Sequence, residues 1–173
     1  GGTHFTNQEE IRPTDSAPVV LAGRQTGIMN WGLTASWSKK PLINARSESL
    51  SERETFKPLL QNRCVVPASA YFEWRALGRK RHKMRIARTD GGLLAFAGLV
   101  KDGCFTIITC PPSQCIAHIH DRMPVILDGA SAGIWLGEEK DFSRLAPLLA
   151  PYSEAELEAN DAGPPDTQGD LFV

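Results

Sequence analysis

Three polar residues lie in apolar stretches of the sequence, where a polar side chain is expected either to be hydrogen-bonded or to have a function. Asn44 follows a Pro-Leu-Ile run, Glu73 lies between Phe and Trp, and His120 follows an isoleucine. A carboxyl group flanked by aromatic rings is a candidate for a raised pKa, since desolvation disfavours its charged form. Histidine can carry protons near neutral pH. The three residues are therefore candidate catalytic groups, with strand alternation at Glu73 and a structural role for His120 as the alternatives.

Other catalytic patterns are weaker. His118 and His120 could form half of a metal site, but no third ligand is obvious and a His-x-His pair alone is a weak signal. No Gly-x-Ser-x-Gly elbow indicates a serine hydrolase. We therefore expect neither a metal ion nor another cofactor.

The basic residues are unevenly distributed, although the formal net charge is only −1. Thirteen of the 19 lysines and arginines lie within residues 39–88, and the acidic residues crowd the last third. This pattern favours a basic face for phosphate groups. On charge alone, a solvated segment beside an acidic tail is an equal alternative.

Composition indicates an ordinary globular chain of 173 residues, 42% hydrophobic and 23% charged. No apolar run approaches the roughly 20 residues of a membrane span, and no signal segment begins the sequence. We expect a cytoplasmic protein, nucleoid-associated if bacterial. The four cysteines are then expected to be reduced, with Cys64 and Cys104 as small buried hydrophobic groups.

Hydrophobic periodicity and turn residues predict many short strands and few helices. Asp90-Gly91-Gly92 and Lys101-Asp102-Gly103 mark the turns of a meander. We predict strands over 18–22, 27–31, 64–67, 71–74, 82–88, 93–100, 104–109 and 124–127, and helices over 52–61, 131–137 and 142–149. Residues 37–46 are predicted to be irregular. The expected fold is α+β, a single domain with a mostly antiparallel, barrel-like β core and a few short helices. This domain covers 1–159, and a flexible tail covers 160–173.

Five ordered sequence pieces add up to a family pattern. They are Trp31-Gly32-Leu33 with Trp37, Asn44-Ala45-Arg46-Ser47-Glu48 followed by Phe56-Lys57-Pro58, Arg63-Cys64-Val65-Val66-Pro67-Ala68, Tyr71-Phe72-Glu73-Trp74, and His120-Asp121-Arg122-Met123-Pro124. In order and spacing they resemble the SRAP family (SOS response-associated peptidase). The resemblance runs over about residues 13–136.

The resemblance implies a DNA-repair protein that binds single-stranded DNA and captures abasic sites covalently. In that family the nucleophile is a cysteine exposed when the initiator Met is removed autocatalytically. Its amine forms a Schiff base with the sugar aldehyde, and its thiol then closes a thiazolidine ring. An α-amine suits this reaction, since its pKa of about 7.7–8.0 leaves a sizeable neutral fraction.

The same resemblance implies roles for particular residues. Asn44 would orient the N-terminal amine, Glu73 would act as acid and base, and His120 would assist ring opening and Schiff-base turnover. Four more residues would bind DNA, the arginines through phosphates and the tryptophans by stacking on bases. They are Trp37, Arg46, Trp74 and Arg122. Trp31 is expected to pack in the core, and Glu48 to be structural, paired with a nearby arginine.

The N-terminus departs from the family pattern, which begins Met-Cys-Gly-Arg-Phe. This sequence begins Gly1-Gly2-Thr3-His4-Phe5, so we expect a native Met-Cys to precede Gly1. A cloning remnant or a natural deletion would give the same departure. Without the thiol, the amine could form only a labile imine. Two alternatives to stable covalent capture then follow. They are an abasic-site lyase acting through the amine alone and a non-catalytic module that binds single-stranded DNA.

Overall fold

Twelve short strands make up most of the regular secondary structure in the part of the chain that is described. The computed structural model describes residues 10–152 and 156–163. The strands are β1 (Ser16–Leu21), β2 (Thr26–Trp31), β3 (Leu33–Ala35), β4 (Ser38–Leu42), β5 (Asn44–Arg46), β6 (Arg63–Ala68), β7 (Tyr71–Leu77), β8 (Lys80–Arg88), β9 (Leu94–Lys101), β10 (Cys104–Cys110), β11 (Met123–Pro124) and β12 (Leu157–Asp161). The α-helices are α1 (Gln114–Ala117), α2 (Gly129–Trp135) and α3 (Phe142–Leu145).

Five of these strands close into a barrel. Their order is β10-β2-β1-β6-β9, and β9 pairs again with β10 to complete the ring. Only the β10–β2 contact in this ring is parallel. Alternating apolar residues of the strands fill the interior, with Val19, Cys64, Ala97, Leu99 and Ile108 fully buried. The predicted α+β class with a mostly antiparallel, barrel-like core and few short helices is confirmed.

A second sheet stands beside the barrel. Its order is β12-β8-β7, and all pairings in it are antiparallel. Strand β7 begins only three residues after β6 ends, so the barrel fixes the base of the β7–β8 hairpin. A smaller β3–β4 hairpin leads into β5, which pairs in parallel with β10. No helix in the described ranges is long and apolar enough to cross a membrane.

The predicted helix over 52–61 is wrong. The segment forms turns and one 3-10 helix, Lys57–Leu59, with Pro58 in its first turn. Proline has no N–H to donate and its ring collides with the carbonyl four residues earlier, so an α-helix cannot continue through it. Proline also limits the predicted helix over 142–149: α3 ends at Leu145, and the 3-10 helix Ala146–Leu149 follows, with Pro147 in its first turn.

The bounds of other elements differ from the predictions. Residues 37–46 are not irregular, because β4 and β5 occupy most of them. Asn160 and Asp161 belong to β12, so the tail predicted from 160 is wrong at those two residues. The rest of that tail from 164 onward, and the N-terminus with its expected Met-Cys, lie outside the described residues.

Candidate functional site

Glu73 on β7 and His120, just before β11, face each other. Nε2 of His120 lies 3.9 Å from Oε2 of Glu73. The Glu73 side chain is 23% exposed and that of His120 is 40% exposed, so both remain open to a ligand. Burial raises the pKa of Glu73; the charge of His120 opposes this rise and that of Asp121 adds to it. A carboxyl group that protonates easily beside an imidazole is suited to proton transfer.

The backbone of Arg122 holds the His120 ring. Its N–H donates to Nδ1 of His120 over 3.1 Å, and its carbonyl oxygen lies 3.1 Å from the same nitrogen. The carboxylate of Asp121 is 3.2 Å from Nδ1 as well. All these partners lie on the Nδ1 side of the ring. Nε2 is therefore the ring nitrogen that faces Glu73.

The Arg122 side chain is clamped by a carboxylate. Its two terminal nitrogens donate to the two oxygens of Glu48 over 2.6 and 2.9 Å, and Nη2 also donates to the carbonyl oxygen of Thr109 over 2.7 Å. Bidentate arginine–carboxylate pairs are among the stronger ion pairs. The expected pairing of Glu48 with a nearby arginine is confirmed. Arg122, interpreted from the sequence as a phosphate contact, has both terminal nitrogens already engaged.

The ion pair of Glu48 with Arg122, called the clamp from here on, predicts a pH-dependent contribution to the stability of the fold. The hydrogen bonds from Arg122 lower the pKa of Glu48 from 4.5 to about 2. A carboxyl group whose pKa is depressed by folding stabilises the fold above its unfolded pKa, and this contribution is lost as the pH falls toward the folded pKa. We expect urea unfolding to show wild type more stable than Glu48→Gln at pH 7, with the difference shrinking from about pH 4.5 toward pH 2. A difference that does not change with pH would contradict the clamp.

Strand β5 places Asn44 and Arg46 at the surface. Both side chains are exposed, whereas Ala45 between them is buried against the barrel. Register pairs Asn44 with Ile107 and Arg46 with Thr109, the residue whose carbonyl holds Arg122. The Asn44 amide has no hydrogen-bond partner within 10–152 and 156–163, so it is available to a group from outside those ranges.

Tyr71 is a neighbour of the site that the sequence reasoning missed. It lies two residues before Glu73 on β7, and therefore on the same face of the strand. Its side chain is buried, and its hydroxyl has no hydrogen-bond partner among the described groups. Burial, together with the charge of Glu73, raises the pKa of this phenol. The two-residue spacing from Glu73 was the signal that could have found it.

The two tryptophans predicted to bind DNA are in different places. Trp37 stands at the tip of the β3–β4 hairpin, 69% exposed, on the rim of an open cleft of about 340 Å³. Trp74 is half-buried, and strand alternation directs it to the opposite face of β7 from Glu73. Trp31 is half-buried and packs against the core: its ring stacks on Phe105 and its N–H donates to the carbonyl of Ile43.

The structure thus brings together two of the three predicted catalytic side chains. Glu73 and His120 form a pair, and Asn44 stands on the separate strand β5. In the described part of the chain, no three His, Cys, Asp or Glu side chains are grouped closely enough to hold a metal ion. The groups gathered at the site are suited to moving protons and to binding anions.

Comparison with known proteins gives consistent relatives. The chain is 39% identical over 155 residues to YoqW, an abasic site processing protein of Bacillus subtilis, covering 80% of this chain and 69% of that protein. It is 35% identical over 130 residues to the abasic site processing protein YedK of Escherichia coli, covering 67% and 58%. A solved structure from Bacteroides thetaiotaomicron matches with a TM-score of 0.76 at 27% identity, covering 86% and 74%.

A second solved structure, from Bordetella bronchiseptica, shares the fold with a TM-score of 0.81 at 24% identity, covering 92% of this chain and 90% of that one. The model of the family described as SOS response associated peptidase (SRAP) matches residues 2–163. This match spans the barrel, the second sheet and every residue of the candidate site. The chain therefore belongs to the SRAP family.

Proposed function

We propose that this chain processes abasic sites in single-stranded DNA, with Glu73 and His120 as its proton carriers. Its relatives YoqW and YedK are named abasic site processing proteins. The observation that carries the proposal is the Glu73–His120 pair, 3.9 Å apart and partly open to solvent. A carboxyl group whose pKa is raised by burial, next to an imidazole, can supply both an acid and a base.

The proposed reaction needs several proton transfers. The ring-opened sugar of an abasic site carries an aldehyde, and a neutral α-amine adds to its carbon to form a carbinolamine. Loss of the hydroxyl group as water then gives an imine, and this step needs a proton donor. Attack of a thiol on the imine carbon closes a thiazolidine, with the thiol proton passing to nitrogen. In this proposal the amine and thiol belong to a cysteine before Gly1.

Glu73 and His120 would serve different proton transfers of this reaction. When protonated, Glu73 donates to the leaving hydroxyl group, and the burial that raises its pKa favours this form. His120, whose Nε2 faces the same space, assists opening of the sugar ring. Asn44 orients the amine through its exposed amide. The same groups would serve the removal of an initiator Met, in which water attacks one peptide bond.

DNA contacts in this proposal come from two kinds of group. Arg46 is exposed on β5 and can donate two hydrogen bonds to a phosphate. Trp37, on the cleft rim, and Trp74 can stack on bases, a contact worth about 1–3 kcal/mol per base. Arg122 would approach a phosphate only through the clamp with Glu48, so its main effect is to position His120.

The experiment is incubation with a single-stranded abasic oligonucleotide, read on a denaturing gel. It compares this sequence with one that carries an added N-terminal Met-Cys. We expect a heat-stable adduct from the Met-Cys form, lost when Asn44 is replaced by Ala. From the present sequence we expect at most a labile imine, visible only after reduction with cyanoborohydride.

The outcomes separate the proposal from its rivals. Strand cleavage by the present sequence, without a stable adduct, would favour a lyase that acts through the amine alone. If both forms shift the DNA but neither reacts, the protein is a binding module and the proposed chemistry is wrong.

A further inference from the structure

The β7–β8 hairpin carries a large excess of positive charge. Between residues 71 and 88 there are seven lysines and arginines and one acidic residue, Glu73. The cations are Arg75, Arg79, Lys80, Arg81, Lys83, Arg85 and Arg88. Since the chain as a whole has a net charge of −1, this hairpin is a local concentration of charge.

The two faces of the hairpin differ. Directly opposed residues share a face, and at the base of the hairpin the pair Tyr71–Ile86 is buried against the core. The next pair on this inner face is Glu73–Met84, followed by Arg75–His82 and Leu77–Lys80. Exposure increases along this series, from buried Tyr71 to half-buried Glu73 and Arg75 and then exposed Leu77. The outer half of the inner face therefore projects past the site.

The cations on this inner face are available to a ligand. In the described ranges no carboxylate lies within ion-pair distance of Arg75 or Lys80. His82 does have a carboxylate neighbour, Asp161, at 3.6 Å, so we count only Arg75 and Lys80. On the outer face Lys83 is paired with Glu10 at 2.7 Å, whereas Arg81 and Arg85 are exposed.

We propose that the inner face of the hairpin beyond Glu73 binds the phosphates of the DNA strand next to the abasic nucleotide. Arg75 lies two residues beyond Glu73, about 7 Å along the strand, and the end of β7 lies about 13 Å beyond it. A sugar held at Glu73 would therefore place its neighbouring phosphates beside Arg75 and Lys80. This inference rests on the proposed function and adds a binding surface to it.

The test compares charge-matched pairs of substitutions within the same hairpin. The inner pair is Arg75→Gln with Lys80→Gln, and the outer control is Arg81→Gln with Arg85→Gln. Affinity for an intact single-stranded oligonucleotide is measured by anisotropy over a series of salt concentrations. The logarithm of the binding constant falls linearly with the logarithm of the salt concentration. Each lost phosphate contact makes this slope less steep by about 0.7, so the slope of the inner variant should be less steep than that of wild type by about 1.4. The outer variant should keep the wild-type slope.

A charge-retaining variant, Arg75→Lys with Lys80→Arg, checks that the hairpin still folds, and it should restore the slope. Equal slopes for the inner variant and wild type, or equal losses for the two pairs, would overturn the inference. The proposed function is judged separately by the abasic adduct of the Met-Cys form. If that adduct forms while the slopes are equal, only the inference fails; if no adduct forms, the proposed function fails.

Discussion

Replacement of Glu73 by Gln in the Met-Cys form is expected to slow adduct formation on abasic DNA by about 100-fold or more, the usual loss when a positioned acid–base group is removed. The amide keeps the shape of the side chain but can neither donate nor accept a proton as the carboxyl group does. In the Met-Cys form with Glu73 intact, which is the wild type of this comparison, single-turnover adduct formation should show a pH dependence whose midpoint lies above the ordinary pKa of glutamate, since burial raises the pKa of Glu73. Glu73→Gln should lack this midpoint.

The control is Glu158→Gln, which removes an exposed carboxylate from β12 in the same sheet. It should react at the wild-type rate. Both variants should bind intact single-stranded DNA as tightly as wild type. Wild-type rates for Glu73→Gln would show that the Glu73–His120 pair does not move the protons of this reaction.

The same substitution should stabilise the fold at neutral pH. A carboxyl group whose pKa is raised by folding lowers stability once the pH exceeds its unfolded pKa, because the buried charge is disfavoured. Glu73→Gln removes this cost, so its melting temperature at pH 7 should equal or exceed that of wild type. The difference should disappear below about pH 4, where both states of the wild-type protein are protonated.

Replacement of Arg63 by Met is expected to destabilise the protein by about 3–5 kcal/mol, because several hydrogen bonds from a charged group are lost and each contributes about 1.5–3 kcal/mol. The Arg63 side chain is buried, and its three nitrogens donate to four backbone carbonyls. These belong to Leu60, Trp135, Gly137 and Glu139. The guanidinium also lies over the Trp135 ring, 5.6 Å from its centre. Methionine fills the volume but leaves all four carbonyls without their donor.

Thermal and urea unfolding would measure this loss, which corresponds to a drop in melting temperature of about 10 °C for a domain of this size. The control is Arg53→Met, an exposed arginine for which we expect a change within about 0.5 kcal/mol. Arg63→Lys should be intermediate, because one ammonium group cannot span the same carbonyls. A stable Arg63→Met protein would show that the carbonyls find other donors.

The arginine of the Arg63-Cys64-Val65-Val66-Pro67-Ala68 piece illustrates what the sequence could show. That piece indicated the family, but nothing in it indicated that Arg63 fastens the end of α2 to β6, since three of the four carbonyls it binds are more than 70 residues away. The hairpin of β9 and β10 was predictable because its strands are adjacent in sequence and Gly103 marks the turn. The predicted meander is wrong at its first strand, because β8 pairs with β7 and β12 in the other sheet and not with β9. The parallel pairing of β5 with β10 was not, because it joins distant segments.

Some features of the candidate site were likewise predictable from the sequence, and others were not. Glu73 and His120 were found because each is a polar group in an apolar run, and this local signal does not depend on the fold. The Glu48–Arg122 clamp was anticipated only as a pairing with some arginine, because its partners lie 74 residues apart. Strand alternation at β7, by contrast, was readable from the sequence: it separates Glu73 from Trp74 and links Glu73 with Tyr71.

The position of His120 between the N–H and the carbonyl of Arg122 has a consequence for turnover. When Nδ1 is unprotonated it accepts from the N–H, and when it carries a proton it can donate to the carbonyl oxygen, both over 3.1 Å. Nδ1 of His120 therefore has a hydrogen-bond partner in either tautomer, with the ring in the same orientation. The imidazole can release a proton at Nε2 in one step and take one up there in the next without rotating, so no ring flip has to separate the two halves of a catalytic cycle.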